Sequence, residues 1–358
     1  MKTRYLYILI IILGLLAGTV PAIPSGGAEE EKESHESQEE FDASTFIIDH
    51  VADSHEWHIL TKKDGSSVAV YLPVIIYDKQ SGIHIFSSRK LAHGHSHLGY
   101  AIAHEGKYAG KIVRVDDEGH PDGTKPPLDF SITKAIFGML VASVILLWLM
   151  IAMAGSYKKS GISAPKGLQG FFEPIILFVR DDIAIPNIGE HKYAKYMPYL
   201  LTVFFFILVN NLLGLVPIFP FGANVTGNVN VTFVLAMCTL LITQFSGNRS
   251  HWRHVFAAPG VPVWLLPIMI PIEVIGLFSK PFALMIRLFA NITAGHIIVL
   301  SLVSLIFIFK SVAVAPVSIF FVLFMYCIEL LVAFLQAYVF TLLSALFIGM
   351  ATAEAEHH

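Results

Sequence analysis

The chain is poor in charge and in cysteine. Only 14% of its 358 residues are Asp, Glu, Lys or Arg, where a soluble domain carries about 25%. With 55% hydrophobic residues and a mean hydropathy of +0.66, this excludes an ordinary soluble enzyme of two or three domains. It points instead to a membrane protein with a polar portion attached. A net charge of −3 and a pI near 6.6 leave no basic surface for nucleic acid. Two cysteines, Cys238 and Cys327, cannot build a disulfide framework; both lie in apolar runs and read as small packing residues. No Gly-x-x-x-x-Gly-Lys-Ser/Thr phosphate loop occurs, so no nucleotide hydrolysis by the chain itself is expected. No cofactor and no resident metal are expected either.

Composition changes along the chain. Residues 1–22 read as a secretory signal: Lys2 and Arg4, the short apolar run Tyr5 to Ala17, then Val20-Pro21-Ala22 as a cleavage site. The run is too short to span a bilayer, which takes roughly 20 residues. Residues 23–40 include EEEKESHESQEE and read as an acidic disordered linker. Residues 41–128 predict a small, mostly β exported domain. Val68 to Leu72 and Val74 to Tyr77, on either side of Pro73, and Ile83 to Phe86 and Lys111 to Val115 are β-favouring, with turn signals at Asp64-Gly65, Ser81-Gly82 and Glu118-Gly119, a helix near Phe46 to Val51 and Pro126-Pro127 as the close.

Residues 129–358 form the membrane domain. Ile132 to Ala154, Met197 to Val216, Val229 to Phe245, Pro262 to Phe309 and Pro316 to Met350 are apolar, and predict an all-α polytopic fold with five transmembrane helices. Residues 166–182 mix Phe171, Phe172, Ile175 and Phe178 with polar positions, as an amphipathic helix at the membrane surface does. Lys and Arg are frequent in the 155–195 loop, absent from the 217–228 loop and present again at Arg249 and Arg253. The positive-inside rule then places the N-terminal domain outside, in the periplasm of a bacterial inner membrane, and the C-terminus in the cytoplasm. The signal sequence requires the same side.

The last two apolar stretches are too long for upright spans. As a helix, Pro262 to Phe309 would extend about 72 Å against a hydrocarbon core of about 30 Å. Two long, strongly tilted helices in a hairpin are the economical solution. Their polar residues stand out, because a charge at the bilayer centre costs about 2.5–3.5 kcal/mol on insertion scales. Glu273, Lys280 and Arg287 are spaced seven apart, and Asn291 lies four further on, so all four share a helix face. Glu329 and Gln336 are likewise seven apart on the last helix. Lys310, at the hairpin tip, reads as snorkelling to the interface.

These residues carry a resemblance. The run Ser279-Lys280-Pro281 to Arg287-Leu288-Phe289-Ala290-Asn291, with Ala294-Gly295 beyond it, resembles the signature of subunit a of F-type ATP synthases. Leu335-Gln336-Ala337-Tyr338-Val339-Phe340, Asn211-Leu212-Leu213-Gly214-Leu215-Val216-Pro217 and Asn228-Val229-Asn230-Val231-Thr232 are similar to its other motifs, in order, over about residues 130–358. The resemblance implies the stator subunit of the Fo sector. It would offer two proton half-channels to a ring of c subunits, with the b subunits of the peripheral stalk and, indirectly, the F1 sector as further partners. It implies that Arg287 faces the ring, with Asn291 and Gln336 as its polar neighbours. His296 and Glu329 would line the outer half-channel and Glu273 the inner one. Gly214 departs from relatives that carry Asp there.

Elementary electrostatics supports these roles. A rotor carboxylate must be neutral while it faces lipid and needs a nearby cation to release its proton. Arginine supplies the charge and cannot relay the proton, whereas His and Glu can. Ten of the sixteen histidines precede residue 128, including His93-Gly94-His95-Ser96-His97. Such alternation can bind Zn²⁺ or Cu²⁺, which leaves a secondary transporter with an exported metal-binding domain as the alternative. That class usually shows internal repeats, and none is visible.

Overall fold

The computed structural model describes residues 43–61, 67–103, 108–116, 120–160, 167–216, 220–256, 263–309 and 314–353. The expected signal peptide, the acidic linker and Lys310 lie outside the described residues.

The N-terminal region is strand-rich, and alternation explains its small core. Helix α1 (Ala43–Val51) is followed by a hairpin of β1 (Glu56–Thr61) and β2 (Ser67–Tyr71). Strand β3 (Pro73–Asp78) is the centre of a three-stranded antiparallel sheet, flanked by β4 (Gly82–Ser87) and β7 (Leu128–Asp129). Strands β5 (Tyr100–Ile102) and β6 (Ile112–Arg114) pair separately. Val74 and Ile76 point to one side of β3 and are fully buried with Phe86, Leu91, Tyr100 and Ile112. Pro73 opens β3 rather than separating two strands, a position where the missing N–H breaks no ladder. β1, β5 and β7 are absent from the sequence pattern; β5 and β7 have only three and two residues, too few for readable alternation. β7 lies beyond Pro126-Pro127, so the sheet is completed by residues that lead directly into the first long helix.

The remainder is helical. In order come α2 (Lys134–Ser160), α3 (Leu168–Phe178), a π-helical turn (Val179–Ala184), α4 (Ile185–Ile188), α5 (Tyr193–Gly214), α6 (Val229–Ser246), α7 (Arg249–Phe256), α8 (Leu266–Phe309) and α9 (Ala315–Thr352). Among the described residues, five helices are long and apolar enough to cross a membrane: α2, α5, α6, α8 and α9. Helix α5 lies at the centre, with Leu200, Phe204, Phe205 and Ile207 buried, and packs against α9 and α2. Helix α3 packs Phe172 on Phe205 (5.8 Å) and Phe178 on Tyr338 (5.6 Å). In the turn after it Val179, Ile183 and Ala184 are fully buried, while Asp181 and Asp182 are exposed. Gly349 lets α9 touch this segment, since a Cβ there would lie 1.8 Å from the Asn187 carbonyl oxygen.

Two sets of hydrogen bonds define the ends of the bundle. At one end the Lys192 ammonium and the Asn248 side chain both donate to the Thr352 carbonyl, at 2.9 and 2.8 Å. The loops rich in Lys and Arg therefore meet the C-terminus. At the other end Asp53 accepts from the Thr133 hydroxyl (2.8 Å), the Ala135 amide (3.0 Å) and the Asn228 side chain (3.1 Å). One carboxylate thus ties the N-terminal region to the starts of both α2 and α6. Trp57 sits edge-on to Phe137 at 6.1 Å beside it.

Candidate ion-translocation site

Helices α8 and α9 are antiparallel neighbours, and their polar groups meet in rungs. The Asn291 side chain donates to Gln336 Oε1 at 3.0 Å. Five residues further along α8 and seven back along α9, His296 Nδ1 lies 3.7 Å from Glu329 Oε1. Nearer the hairpin tip, the Ser318 hydroxyl donates to the Leu302 carbonyl. Polar groups buried between apolar helices act as interhelical glue only when they find each other, and the register places each opposite its partner.

Neither pair is complete: Gln336 Nε2 has no hydrogen-bond partner among the described residues. Gln336 is 1% exposed and Glu329 8% exposed. Glu329 Oε1 has no hydrogen-bond partner among the described residues. A buried carboxylate oxygen left this way is costly. Gly295 makes its position possible: a Cβ on residue 295 would stand 2.5 Å from Glu329 Oε1. Glycine is the one residue that leaves this space open.

Arg287 lies one turn before Asn291 and is exposed at the surface of the chain. Lys280 and Asn291 are exposed and Glu273 is half-buried, as a shared face requires. The Lys280 ammonium lies 5.7 Å from the Phe347 ring centre. Among the described residues no carboxylate lies within ion-pair distance of Arg287 or Lys280. Of the six site residues read from sequence, four are joined into two pairs, while Arg287 and Glu273 make no ion pair among the described residues.

Sequence reasoning assigned no role to Asn211 and Thr226. Asn211 Oδ1 accepts from the buried Thr226 hydroxyl at 2.6 Å, and its Nδ2 approaches the Ala333 carbonyl at 3.5 Å. Ala333 is one turn from Glu329, so this pair backs the carboxylate from α5. A buried Asn in an apolar helix must be paired, and that was the available signal. Of the histidine cluster, His97 contacts Lys90 (3.1 Å) and packs on Phe86. Among the described residues no group of three His, Cys, Asp or Glu could hold a metal ion.

Fold and site together define a polytopic membrane protein whose titratable groups converge on one helical hairpin. The ATP synthase A chain family model matches residues 136–349, and the chain belongs to that family. It is 52% identical over 235 residues to ATP synthase subunit a of Chloroherpeton thalassium, covering 64% of this chain and 69% of that one. It is 49% identical over 251 residues to ATP synthase subunit a 2 of Chlorobium luteolum, covering 66% and 72%. The Myxococcus xanthus ATP synthase subunit a is 48% identical over 236 residues, covering 64% and 76%. Residues 46–130 match a separate domain of unknown function, DUF8433. Family membership decides against the secondary-transporter alternative.

Proposed function

We propose that the chain is the non-catalytic, proton-translocating stator subunit of the Fo sector of a rotary ATP synthase. It presents α8 and α9 obliquely to a ring of c subunits and supplies two half-channels that meet at Arg287. The observation that carries this is the contrast on one hairpin: an exposed arginine without a carboxylate partner among the described residues, and a buried, under-bonded Glu329 beside His296.

In this mechanism a proton arriving from outside passes through His296 and Glu329 to a rotor carboxylate. Protonated, that carboxylate turns away into lipid. After nearly a full turn it returns towards Arg287, whose fixed charge lowers its pKa and draws the proton off. The proton leaves on the inner side past Glu273. Because the guanidinium keeps its own protons, it separates the two paths and blocks a direct leak. Each proton crossing 100 mV supplies about 2.3 kcal/mol, so several are coupled to each ATP. The strand-rich region lies on the periplasmic side, α3 lies at the inner surface, and the C-terminus is cytoplasmic. The b subunits hold the chain against rotation relative to F1.

The test is ATP-driven acidification of inverted membrane vesicles with the native chain and Arg287→Ala. Loss of pumping in an assembled complex that still hydrolyses ATP is expected. Native pumping by the variant overturns the role of Arg287.

A further inference from the structure

A crevice opens between α6, α8 and α9, next to the end where Asn248 meets Thr352. Its polar side consists of Thr239, Thr243, Gln244, His251 and Lys280. Thr243 is 8% exposed, and its hydroxyl has no partner among the described residues. A buried hydroxyl without a bond is destabilising, so this group calls for a ligand. His251 and Gln244 approach each other at 3.4 Å across the rim. The opposite wall is apolar, formed by Leu240, Leu277, Phe347 and Met350.

We propose that this crevice binds the phosphate-bearing headgroup of an anionic phospholipid, with Lys280 and Thr243 as its main ligands and the first acyl segment against the apolar wall. Charge favours an anion. Residues 229–266 contain no Asp or Glu but include Arg249 and Arg253, and the nearest acid on α8, Glu273, is seven residues from Lys280. Depth favours a headgroup. Trp252 stacks on Phe256 in α7, with ring centres 5.9 Å apart, and Trp264 is 75% exposed; such aromatics mark the membrane–water interface. The two-sided lining favours a lipid over free phosphate, because phosphate alone leaves the apolar wall wet. It also favours a lipid over the polar tail carrying Glu354 and Glu356. Placing the lipid in the inner leaflet rests on the orientation proposed above. The binding itself does not, and a test in detergent separates the two.

The assembled complex, purified in neutral detergent, is titrated with a photoactivatable phosphatidylglycerol, and the crosslinked peptides are mapped. Saturable labelling around residues 239–251 and 277–281 is expected, uncompeted by phosphatidylcholine. It should weaken about 10-fold in Lys280→Gln and in Thr243→Val, as loss of a hydrogen bond to a charged group implies. Thr243→Val keeps the buried shape and so preserves the fold. Equal labelling by phosphatidylcholine, or native labelling in both variants, overturns the proposal. Displacement by millimolar inorganic phosphate identifies a free-anion site, and a gain in labelling on deleting residues 354–358 identifies the acidic tail as occupant; either also overturns it.

Discussion

Two carboxylates, one in each half of the molecule, show different uses of charge. In the strand-rich region Asp78 is 2.5 Å from Arg114 and accepts from the Tyr100 hydroxyl (2.6 Å) and the Gln80 amide (3.0 Å). The Gln80 amide, the Tyr100 hydroxyl and Arg114 hold its carboxyl below the usual carboxylate range, outweighing the opposing effect of burial. In the hairpin, Glu329 is equally buried, yet one oxygen has no hydrogen bond and its histidine stands 3.7 Å away. A satisfied charge pair fixes structure. An under-bonded one contributes little to structure, which is the sign of a group kept for another purpose. The difference predicts that removing charge from the first costs stability, and from the second costs transport.

The sharpest break of that comparison is Arg287→Ala, expected to abolish pumping without lowering the melting temperature of the complex. Next is Glu329→Gln. Pumping should fall on the order of 100-fold, the scale of a lost proton-transfer group, while thermal stability holds because no hydrogen bond to Glu329 Oε1 is lost. A stability loss as large as that of a satisfied pair would refute the contrast. Gly295→Ala comes third: its Cβ must displace the Glu329 carboxylate, and proton-pumping assays should show a loss of roughly 10-fold, a typical consequence of misplacing a reacting group. Asp78→Asn should leave pumping intact and lower the melting temperature of the strand-rich region by several degrees. Because the Asp78 pKa is lowered on folding, its stabilisation is present above the usual carboxylate range and is lost as pH falls through the lowered value; the variant should lack that acid-dependent loss.

The smallest effect is expected at Asp53. Burial raises its pKa, with the Ala135 amide, the Thr133 hydroxyl, His55 and Lys134 acting in the opposite direction. A raised acid pKa means the docked state binds the proton more tightly. Docking therefore weakens as pH rises through the usual carboxylate range to the raised value, and is level above it. Asp53→Asn keeps an acceptor for the Ala135 amide and removes the charge. Hydrogen exchange at the start of α2 should show slightly slower opening near neutral pH and no such pH dependence.

The polar stripe of α8 was legible because spacing within one helix is fixed by its 3.6-residue period; Glu273, Lys280, Arg287 and Asn291 needed no tertiary information. The same locality explains what was not legible. Asn211 and Thr226 meet through a turn and across helices, and the two- and three-residue strands β5 and β7 are held by partners rather than by their own pattern. The mix of polar and apolar residues in 166–182 says which face is apolar, but not that the turn beyond α3 would pack Val179 and Ile183 against α5 and α9 while Asp181 and Asp182 stay exposed.

The sequence by itself determined five apolar helices, two of them longer than a bilayer core is thick, and a set of charges that lipid alone would not tolerate. Both follow from solvation, which each residue meets regardless of its neighbours. Only the tertiary structure decided that Asn291 opposes Gln336, that His296 opposes Glu329 over the bare backbone of Gly295, and that Asp53 joins the strand-rich region to α2 and α6. Those pairings depend on the rotation of one helix against another, where a shift of a single residue turns a side chain by about 100° and sends it to a different neighbour.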